Sequence, residues 1–336
     1  MNGLRNKKYF LISIDTEGDN LWEWKLGDSV QNENAKFLGK FQTLCEKYGF
    51  KPTFLVNYEI MESQSFVDEF KPKVHANKCE IGLHLHAWNS PPLFELENVV
   101  NEKAAPYLIE YPVDVMEKKI AYLISELNRK FDIKVRSHRA GRWAMNDQYF
   151  RLLAKYGIEY DCSITPHIDW SGNVGATRES KGSDYTKCSE QPYLVNYLEK
   201  TSVLEIPVTI RESHSMFKPS ELSAKSILRS IYKAVRGQYL WLRPNGINLE
   251  EMKWVLDTVY RDKNTDYVMF MLHSSELMAG GSPSFKTQAA IDKLYEDIEQ
   301  LFMYASEKYY GMTISDYGDR IKRKYKENIN NVFQYD

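Results

Sequence analysis

The sequence is poor in cysteine and lacks a long apolar run. Its four cysteines are scattered and include no C-x-x-C pair, lying at Cys45, Cys79, Cys162 and Cys188. This pattern excludes a cysteine-rich zinc knot and gives no disulfide framework. No stretch approaches the roughly 20 apolar residues of a membrane span, and the first apolar run, residues 9–14, is too short for the core of a signal peptide. We therefore expect a soluble, cytoplasmic protein without a transmembrane segment.

The sequence also lacks an excess of charge of either sign. It carries 44 basic and 46 acidic residues, for a formal net charge of −2. A surface that binds nucleic acid normally shows as an excess of basic residues, so we expect no nucleic-acid partner. Aromatic residues are plentiful instead, with 23 tyrosines and 7 tryptophans. Aromatic rings can pack on sugar faces, so clustering of these rings at one site would indicate carbohydrate contact, and ordinary packing is the alternative.

Short apolar segments alternate with longer amphipathic segments along most of the chain. The predicted strands are residues 9–14, 53–56, 80–83, 134–137, 159–163, 203–208, 268–272 and 312–315. The predicted helices are residues 35–48, 63–75, 115–131, 147–156, 249–261 and 289–309. This alternation predicts an α/β fold with a mostly parallel sheet covered by helices. We expect a single domain over residues 1–336, a distorted (β/α) barrel of about seven or eight units.

Two connections between these segments are too long for simple turns. They lie at about residues 88–112 and 167–193. Long connections in a compact domain are usually functional. The first follows a pair of histidines directly, and we expect it to form a lid or wall of the site.

Polar residues that can carry chemistry fall at the carboxyl ends of the predicted strands. They are Asp15 and Glu17 after the first strand, His84 and His86 after the third, Arg139 after the fourth and His273 after the seventh. Side chains two positions apart in a strand point the same way, and the carboxyl ends of barrel strands share the face that carries active sites. The sequence therefore predicts one site where imidazoles and carboxylates meet, a ligand set that suits Zn²⁺ and neighbouring divalent metals.

Five segments resemble, in the same order, the motifs of the polysaccharide deacetylase family, which has NodB homology and is also called carbohydrate esterase family 4. They are residues 12–17, 80–84, 137–141, 160–163 and 272–276. The residues in these segments look most like those of the branch of the family that is associated with O-antigen and lipopolysaccharide biosynthesis. The resemblance implies the family's distorted barrel and a zinc-dependent hydrolase, with Co²⁺, Ni²⁺ or Mn²⁺ as alternative metals.

The resemblance also implies a role for each matching residue. The implied catalytic residues are Asp15 as the base, Arg139 as the cation that holds it and His273 as the acid, and the implied metal ligands are Glu17 and His84. The expected substrate-binding residues, which lie in or beside these motifs, are Trp88, Arg142, Trp143 and Glu276.

One departure from the family pattern concerns the second metal histidine. The family places it four residues after the first, where this chain has Trp88. His86 is the expected replacement ligand, and loss of the metal site is the alternative. The partner of the His273 ring stays open between Asp161 and Glu276. Asp19 is either a further ligand or a cap of its loop.

The function that these expectations favour is hydrolysis of an N-acetyl or O-acetyl group on a sugar. The resemblance implies a metal-dependent deacetylase acting on amide C–N bonds, with a carbohydrate or a nucleotide- or lipid-linked sugar of cell-surface polysaccharide biosynthesis as its substrate. The alternative is a catalytically inactive carbohydrate-binding protein on the same fold. An iron oxygenase with two histidines and one carboxylate uses the same ligand types, but the Asp15/His273 pair and the α/β pattern disfavour it.

Overall fold

The structure is a computed structural model and describes residues 7–25, 28–197, 201–215, 232 and 235–332. The predicted domain of residues 1–336 therefore includes segments outside the described ranges. Among the helices in these ranges, none is both long enough and apolar enough to cross a membrane.

The described strands form one large sheet and one small sheet. In chain order they are β1 (Lys8–Thr16), β2 (Pro52–Val56), β3 (Glu80–Leu85), β4 (Ser137–Ala140), β5 (Tyr160–Asp161), β6 (Tyr193–Tyr197), β7 (Thr201–Glu205), β8 (Ile210–Ser213), β9 (Gln238–Trp241), β10 (Tyr267–His273) and β11 (Tyr309–Met312). The large sheet has the order β10-β1-β2-β3-β4-β5-β7-β6, and β11 also pairs with β1. Its pairs are parallel except for β6 with β7. β8 and β9 form a separate antiparallel pair.

Helices pack against the large sheet, mostly on its outer face. They are α1 (Leu38–Lys47), α2 (Tyr58–Met61), α3 (Gln64–His75), α4 (Val113–Phe131), α5 (Asp147–Lys155), α6 (Leu249–Arg261), α7 (Gln288–Ser306) and α8 (Ile314–Val332). Several begin at a side-chain cap: the Asn146 side chain accepts from Tyr149 N–H ahead of α5, and Thr287 does the same for Ala290 ahead of α7. The apolar stripe of each long helix, such as Ile120, Leu123 and Leu127 of α4, is buried.

Alternation along β1 separates the helix-covered core from the inside of the sheet. Phe10, Ile12 and Ile14 pack in the large cluster shared with the helices. Leu11 packs in a second cluster inside the curved sheet. Ser13 and Asp15 continue that inner face, since both contact the same arginine. The period of two therefore delivers Asp15 to the concave side of the sheet.

The parallel register aligns the residues that were predicted to form the site. Asp15 lies opposite His273 in the pairing of β1 with β10. His84 lies opposite Arg139 in the pairing of β3 with β4. The carboxyl ends of four strands therefore meet at one edge of the sheet.

The large sheet curls into a half-barrel, and irregular chain lines the side that its strands leave open. There the Met269 N–H donates to Thr209 Oγ1 (2.8 Å) and the Met271 N–H donates to the Leu242 carbonyl (3.1 Å). The Tyr267 hydroxyl donates to the Pro207 carbonyl at 2.7 Å. These bonds satisfy β10 without a regular neighbouring strand on that side.

The predicted α/β fold is confirmed in the form of a half-barrel, with some differences in its elements. The fourth strand begins at Ser137 rather than at residue 134. The segment predicted as a strand at residues 312–315 instead contains the start of α8, where the Thr313 hydroxyl accepts from the Asp316 N–H at 3.1 Å. Strands β6, β8 and β9 were not predicted.

Candidate active site

Glu17, His84 and His86 converge into one buried cluster. The Nε2 atoms of the two histidines lie 3.1 Å apart, and each lies 3.3 Å from Glu17 Oε2. All three side chains are buried. His84 and His86 come together because they are two positions apart at the end of β3, and Glu17 directly follows β1. The structure thus brings the three predicted ligands within reach of a single ion.

The orientation of the rings makes this cluster suited to a metal. The Nδ1 of His84 lies 2.9 Å from the Arg139 carbonyl. A carbonyl only accepts, so this Nδ1 carries a proton, and Nε2 is the ring atom that faces the cluster. Burial, together with the charge of His84, holds the pKa of His86 well below its usual value, which keeps that ring neutral. Two imidazoles and a carboxylate that converge in this way form a donor set that fits Zn²⁺ or a similar divalent cation.

Neighbouring groups fix the positions of these ligands. The Glu17 N–H donates to the Ser274 hydroxyl (3.0 Å), and that hydroxyl lies 3.1 Å from the Glu17 carbonyl, to which it can donate. Trp88 stacks on His86, with ring centroids 4.4 Å apart and planes at 14°. Trp88 occupies the sequence position at which the resembled family has its second histidine. It packs against His86, the second histidine of the cluster in this protein.

Asp15 is held by the buried guanidinium of Arg139. Arg139 Nη1 donates to Asp15 Oδ1 at 2.6 Å, and its other nitrogens donate to Ser13 Oγ (2.8 Å) and the Cys162 carbonyl (3.0 Å). Burial by itself would raise the pKa of Asp15, but the charges of Arg139, His84 and His273 outweigh it and hold the pKa far below its usual range. Asp15 is therefore an ionised carboxylate with a fixed orientation.

His273 faces Asp15 from the neighbouring strand. Its Nε2 lies 3.7 Å from Asp15 Oδ2, and its Nδ1 lies 3.2 Å from Glu276 Oε2 and 3.0 Å from Arg243 Nη2. A guanidinium only donates, so Arg243 can bond Nδ1 in the neutral ring, whereas the Nδ1–H of the charged ring donates to Glu276. Glu276 thus serves as the carboxylate partner of His273.

Arg243 also determines the charge of Glu276. The two side chains form an ion pair at 3.0 Å, and Glu276 is almost completely buried. Burial alone would raise the pKa of Glu276, but Arg243 and His273 lower it to about 2. Sequence reasoning missed Arg243, because it follows a strand that the sequence did not reveal.

Two acids whose roles the sequence does not decide have partners in the structure. Asp161 bonds the Nδ1 of His138 at 2.6 Å on the helix-covered side of β4, opposite the Arg139 side chain. Asp19 accepts from the backbone N–H groups of Glu33 and Asn34, both at 2.9 Å, and so caps the short helical turn that precedes α1. Neither belongs to the cluster of Glu17, His84 and His86.

The site opens into a cavity of about 500 Å³. Five of the 7 tryptophans line it, at Trp22, Trp24, Trp88, Trp143 and Trp170. The tryptophan rings therefore cluster at the site. Such clustering is the feature that, in the sequence analysis, would indicate carbohydrate contact. Trp22 and Trp24 were not recognised in the sequence, since their loop has no motif that marks it.

The two predicted functional loops contact each other and form one side of this cavity. The N–H groups of Val100 and Asn101 both donate to the Ala176 carbonyl, at 2.9 and 3.1 Å. Arg142 donates to the carbonyls of Ala105 and Val174, one in each loop. Arg142 lines the cavity as expected of a substrate-binding residue, and it also connects the two loops.

Comparison with known proteins shows similarity in fold only. No protein-family model matches the chain, and no curated protein matches its sequence. A Parabacteroides distasonis protein described as a glycoside hydrolase/deacetylase is 10% identical with a TM-score of 0.58, covering 95% of this chain and 72% of its own. A Mycobacterium smegmatis protein described as a polysaccharide deacetylase is 14% identical with a TM-score of 0.54, covering 96% and 93%. The 4-alpha-glucanotransferase of Thermococcus litoralis is 13% identical with a TM-score of 0.52, covering 93% of this chain and 40% of its own.

Proposed function

We propose that this protein is a metal-dependent deacetylase that hydrolyses an N-acetyl or O-acetyl group on a sugar. The observation that carries the proposal is the position of the Glu17, His84 and His86 cluster beside Asp15 and His273 on the concave side of the half-barrel. A metal site, a carboxylate base and an imidazole acid around one cavity are the groups that amide or ester hydrolysis requires.

The first part of the reaction uses the metal site and Asp15. Glu17, His84 and His86 would hold a divalent metal, with Zn²⁺ as the first candidate, which would supply Lewis acidity to polarise the acetyl carbonyl and lower the pKa of water. Asp15 accepts the proton of the attacking water. Arg139 keeps the Asp15 carboxylate ionised and aimed into the cavity.

The second part of the reaction uses His273. Its Nε2 faces the Asp15 side of the cavity and donates a proton to the departing sugar amine or hydroxyl. Glu276 stabilises the charged form of the ring through Nδ1, and Arg243 keeps Glu276 ionised. The acid and the base therefore act from adjacent strands on the same reacting group.

The tryptophans favour a sugar as the group that carries the acetyl. Trp88 and Trp143 lie on the cavity wall next to the metal ligands and the Arg139 side chain, respectively. A flat ring beside the reacting centre can pack on a sugar face. A nucleotide- or lipid-linked sugar of cell-surface polysaccharide biosynthesis, including the O-antigen and lipopolysaccharide branch, is the substrate that we propose from the sequence resemblance.

The proposal is tested by metal content and acetate release measured together. Protein purified without chelator is analysed for metal and incubated with N-acetylated and O-acetylated sugars, free and nucleotide-linked. We expect near-stoichiometric metal and acetate release that a chelator or His84→Ala abolishes, while His75→Ala, which changes an exposed histidine remote from the site, retains both. Protein that binds these sugars but holds no metal and releases no acetate would instead support a non-catalytic carbohydrate-binding role on the same fold.

A further inference from the structure

The cations around the cavity divide into two groups. Arg139 and Arg243 each form an ion pair with an acid of the site, Asp15 and Glu276 respectively. Arg142 and Lys103 line the same cavity but form no ion pair with any acid in the described part of the chain. Neither positive charge is therefore neutralised by a direct ion pair within the described residues.

The lack of an ion-pair partner affects Arg142 more strongly than Lys103. Its guanidinium lies 4.0 Å from the centre of the Tyr107 ring and donates only to backbone carbonyls. Glu110 does not neutralise it, because that carboxylate accepts from Thr177 (2.8 Å) and from the backbone N–H of Tyr107 (2.5 Å). Burial lowers the pKa of Arg142, which expresses the cost of desolvating a cation that lacks a counter-ion.

Lys103 lies on the same loop as the carbonyl that Arg142 binds, two residues before Ala105. Its side chain is exposed, and its amine has no hydrogen-bond or ion-pair partner among the residues that the structure describes. The acids Glu23 and Glu102 share a neighbouring surface depression with it but do not pair with it. The amine is thus free to meet a ligand that enters the cavity.

We infer that the sugar bound in this cavity carries an anionic group, a phosphate or a carboxylate, that Arg142 and Lys103 recognise. This inference rests on the proposed function for the identity of the ligand as a sugar. An arginine with spare N–H donors and a lysine ammonium are the groups that proteins use to bind phosphate and carboxylate oxygens. The anion supplies the counter-charge that Arg142 lacks, and the tryptophans pack on the sugar rings.

The inference is tested by binding, independently of catalysis. Quenching of tryptophan fluorescence reports binding, because five tryptophans line the cavity. The probes are N-acetylglucosamine, N-acetylglucosamine 1-phosphate and N-acetylmuramic acid, titrated into metal-free protein so that no anion binds through a metal. We expect at least one anionic sugar to bind about tenfold more tightly than the neutral sugar, and its preference to weaken as salt is added. The phosphate and carboxylate probes distinguish the two sources of charge.

Matched variants show which residues cause the preference for anionic sugars. Lys103→Gln should weaken binding of the preferred anionic sugar by about threefold to fivefold, the range of an exposed charge pair, and leave the neutral sugar unchanged. Lys103→Arg should retain the preference, as should Lys118→Gln, which makes the same change of net charge on α4 away from the cavity. Arg142→Gln should weaken the anionic sugar more strongly than Lys103→Gln does. Equal affinity for neutral and anionic sugars, or an equal effect of Lys103→Gln and Lys118→Gln, would overturn the inference.

The outcomes also separate this inference from the proposed function. Acetate release without any preference for anionic sugars overturns the inference and leaves the deacetylase proposal intact. A preference for anionic sugars that Lys103→Gln weakens, in protein that never releases acetate, upholds the inference and overturns the deacetylase proposal.

Discussion

Two carboxylates that lie two positions apart in the chain have different environments. Asp15 is bonded to a buried guanidinium and faces His273, whereas Glu17 faces the imidazoles of His84 and His86. One charge is neutralised by the protein, and the other is available to a metal. This difference is the physical basis for proposing Asp15 as the base and Glu17 as the ligand.

Substitutions of the proposed base and acid should separate chemistry from metal binding. We expect Asp15→Asn and His273→Ala each to lower turnover by about 100-fold or more, the usual scale for a positioned acid or base. Both should retain the metal, since neither residue belongs to the cluster. The measurements are acetate release and elemental analysis of each variant. Loss of metal from Asp15→Asn would show that the roles of the two carboxylates are reversed.

Glu59 is a buried acid near the cluster that the proposed reaction does not use. It lies in α2, is 8% exposed, and neither of its carboxylate oxygens has a hydrogen-bond partner among the described residues. Burial raises its pKa to about 7, and the charge of Glu17 adds to this effect. An unfolded chain has a glutamate pKa of about 4.3. At a pH between this value and about 7, Glu59 is therefore protonated in the native protein but ionised in the unfolded chain.

The raised pKa of Glu59 predicts a pH-dependent gain in stability for Glu59→Gln. Between about pH 4.3 and the folded-state pKa of about 7, the native state binds more protons than the unfolded state, so stability falls as the pH rises. Glutamine does not titrate, so Glu59→Gln does not lose stability in this way as the pH rises. In metal-free protein, the free energy of unfolding of Glu59→Gln relative to wild type should therefore increase by about 1–3 kcal/mol between pH 4 and pH 8. A difference that stays constant across this range in denaturant titrations would show that Glu59 titrates normally.

The residues of the site that sequence could predict are those with short-range patterns. The alternation of Asp15 with Glu17, and of His84 with His86, places each pair on one side of a strand, and the structure brings them together. Arg243 lies outside any such pattern, because it reaches His273 from a segment 30 residues earlier in the chain. The choice of Glu276 over Asp161 also depends on three-dimensional packing, since the sequence places both acids in or just after a predicted strand.

At the scale of elements, the end of β4 approaches the end of β3 so closely that only glycine fits. A Cβ atom at Gly141 would lie 2.4 Å from His86 Cδ2 and 2.5 Å from the Leu85 carbonyl. The backbone of Gly141 is not in the left-handed region, so the constraint is steric. The glycine that follows the Arg139 strand thus makes room for the second histidine of the cluster.

This close approach predicts that Gly141→Ala weakens metal binding. The added methyl group must displace the His86 ring, which moves its Nε2 away from Glu17 and His84. We expect metal affinity, measured by competition with a chromogenic chelator, to fall by about tenfold or more, with the circular dichroism spectrum unchanged. Gly172→Ala is the matched control, because a Cβ atom there meets nothing within 4 Å. Equal affinities of the two variants would remove His86 from the ligand set.

The elements that the sequence predicted are those stabilised by local pattern. Strands β1, β2, β3 and β10 are mostly apolar and are buried on both faces, as central parallel strands should be. β8 and β9 pair across a separation of 31 residues, from Ile210 to Trp241, which no local pattern reveals. The start of α8 was available in the sequence, since Thr313 and Asp316 have the spacing of a helix cap, but the apolar residues before it favoured a strand.

At the scale of the whole molecule, the cluster of Glu17, His84 and His86 connects strands that are not neighbours. Glu17 follows β1 and the histidines end β3, with β2 between them in the sheet. Without a bound cation, this arrangement buries the Glu17 carboxylate against two imidazole rings whose Nε2 atoms lie 3.1 Å apart. A bound metal therefore stabilises the folded sheet, because the unfolded chain does not bring these three residues together.

Metal binding should accordingly raise the melting temperature of the whole protein. A ligand that binds only the folded state at 100 times its dissociation constant contributes about 2.7 kcal/mol, which for a chain of this length corresponds to a rise of roughly 3–5 °C. Differential scanning fluorimetry of metal-free protein with added Zn²⁺ measures this rise. His84→Ala should abolish it, whereas His75→Ala should preserve it, because His75 is exposed and its ring bonds the Phe131 carbonyl at 2.9 Å, remote from the cluster. A Zn²⁺-dependent rise of the same size in His84→Ala would place the metal at another site and separate the half-barrel's stability from the proposed chemistry.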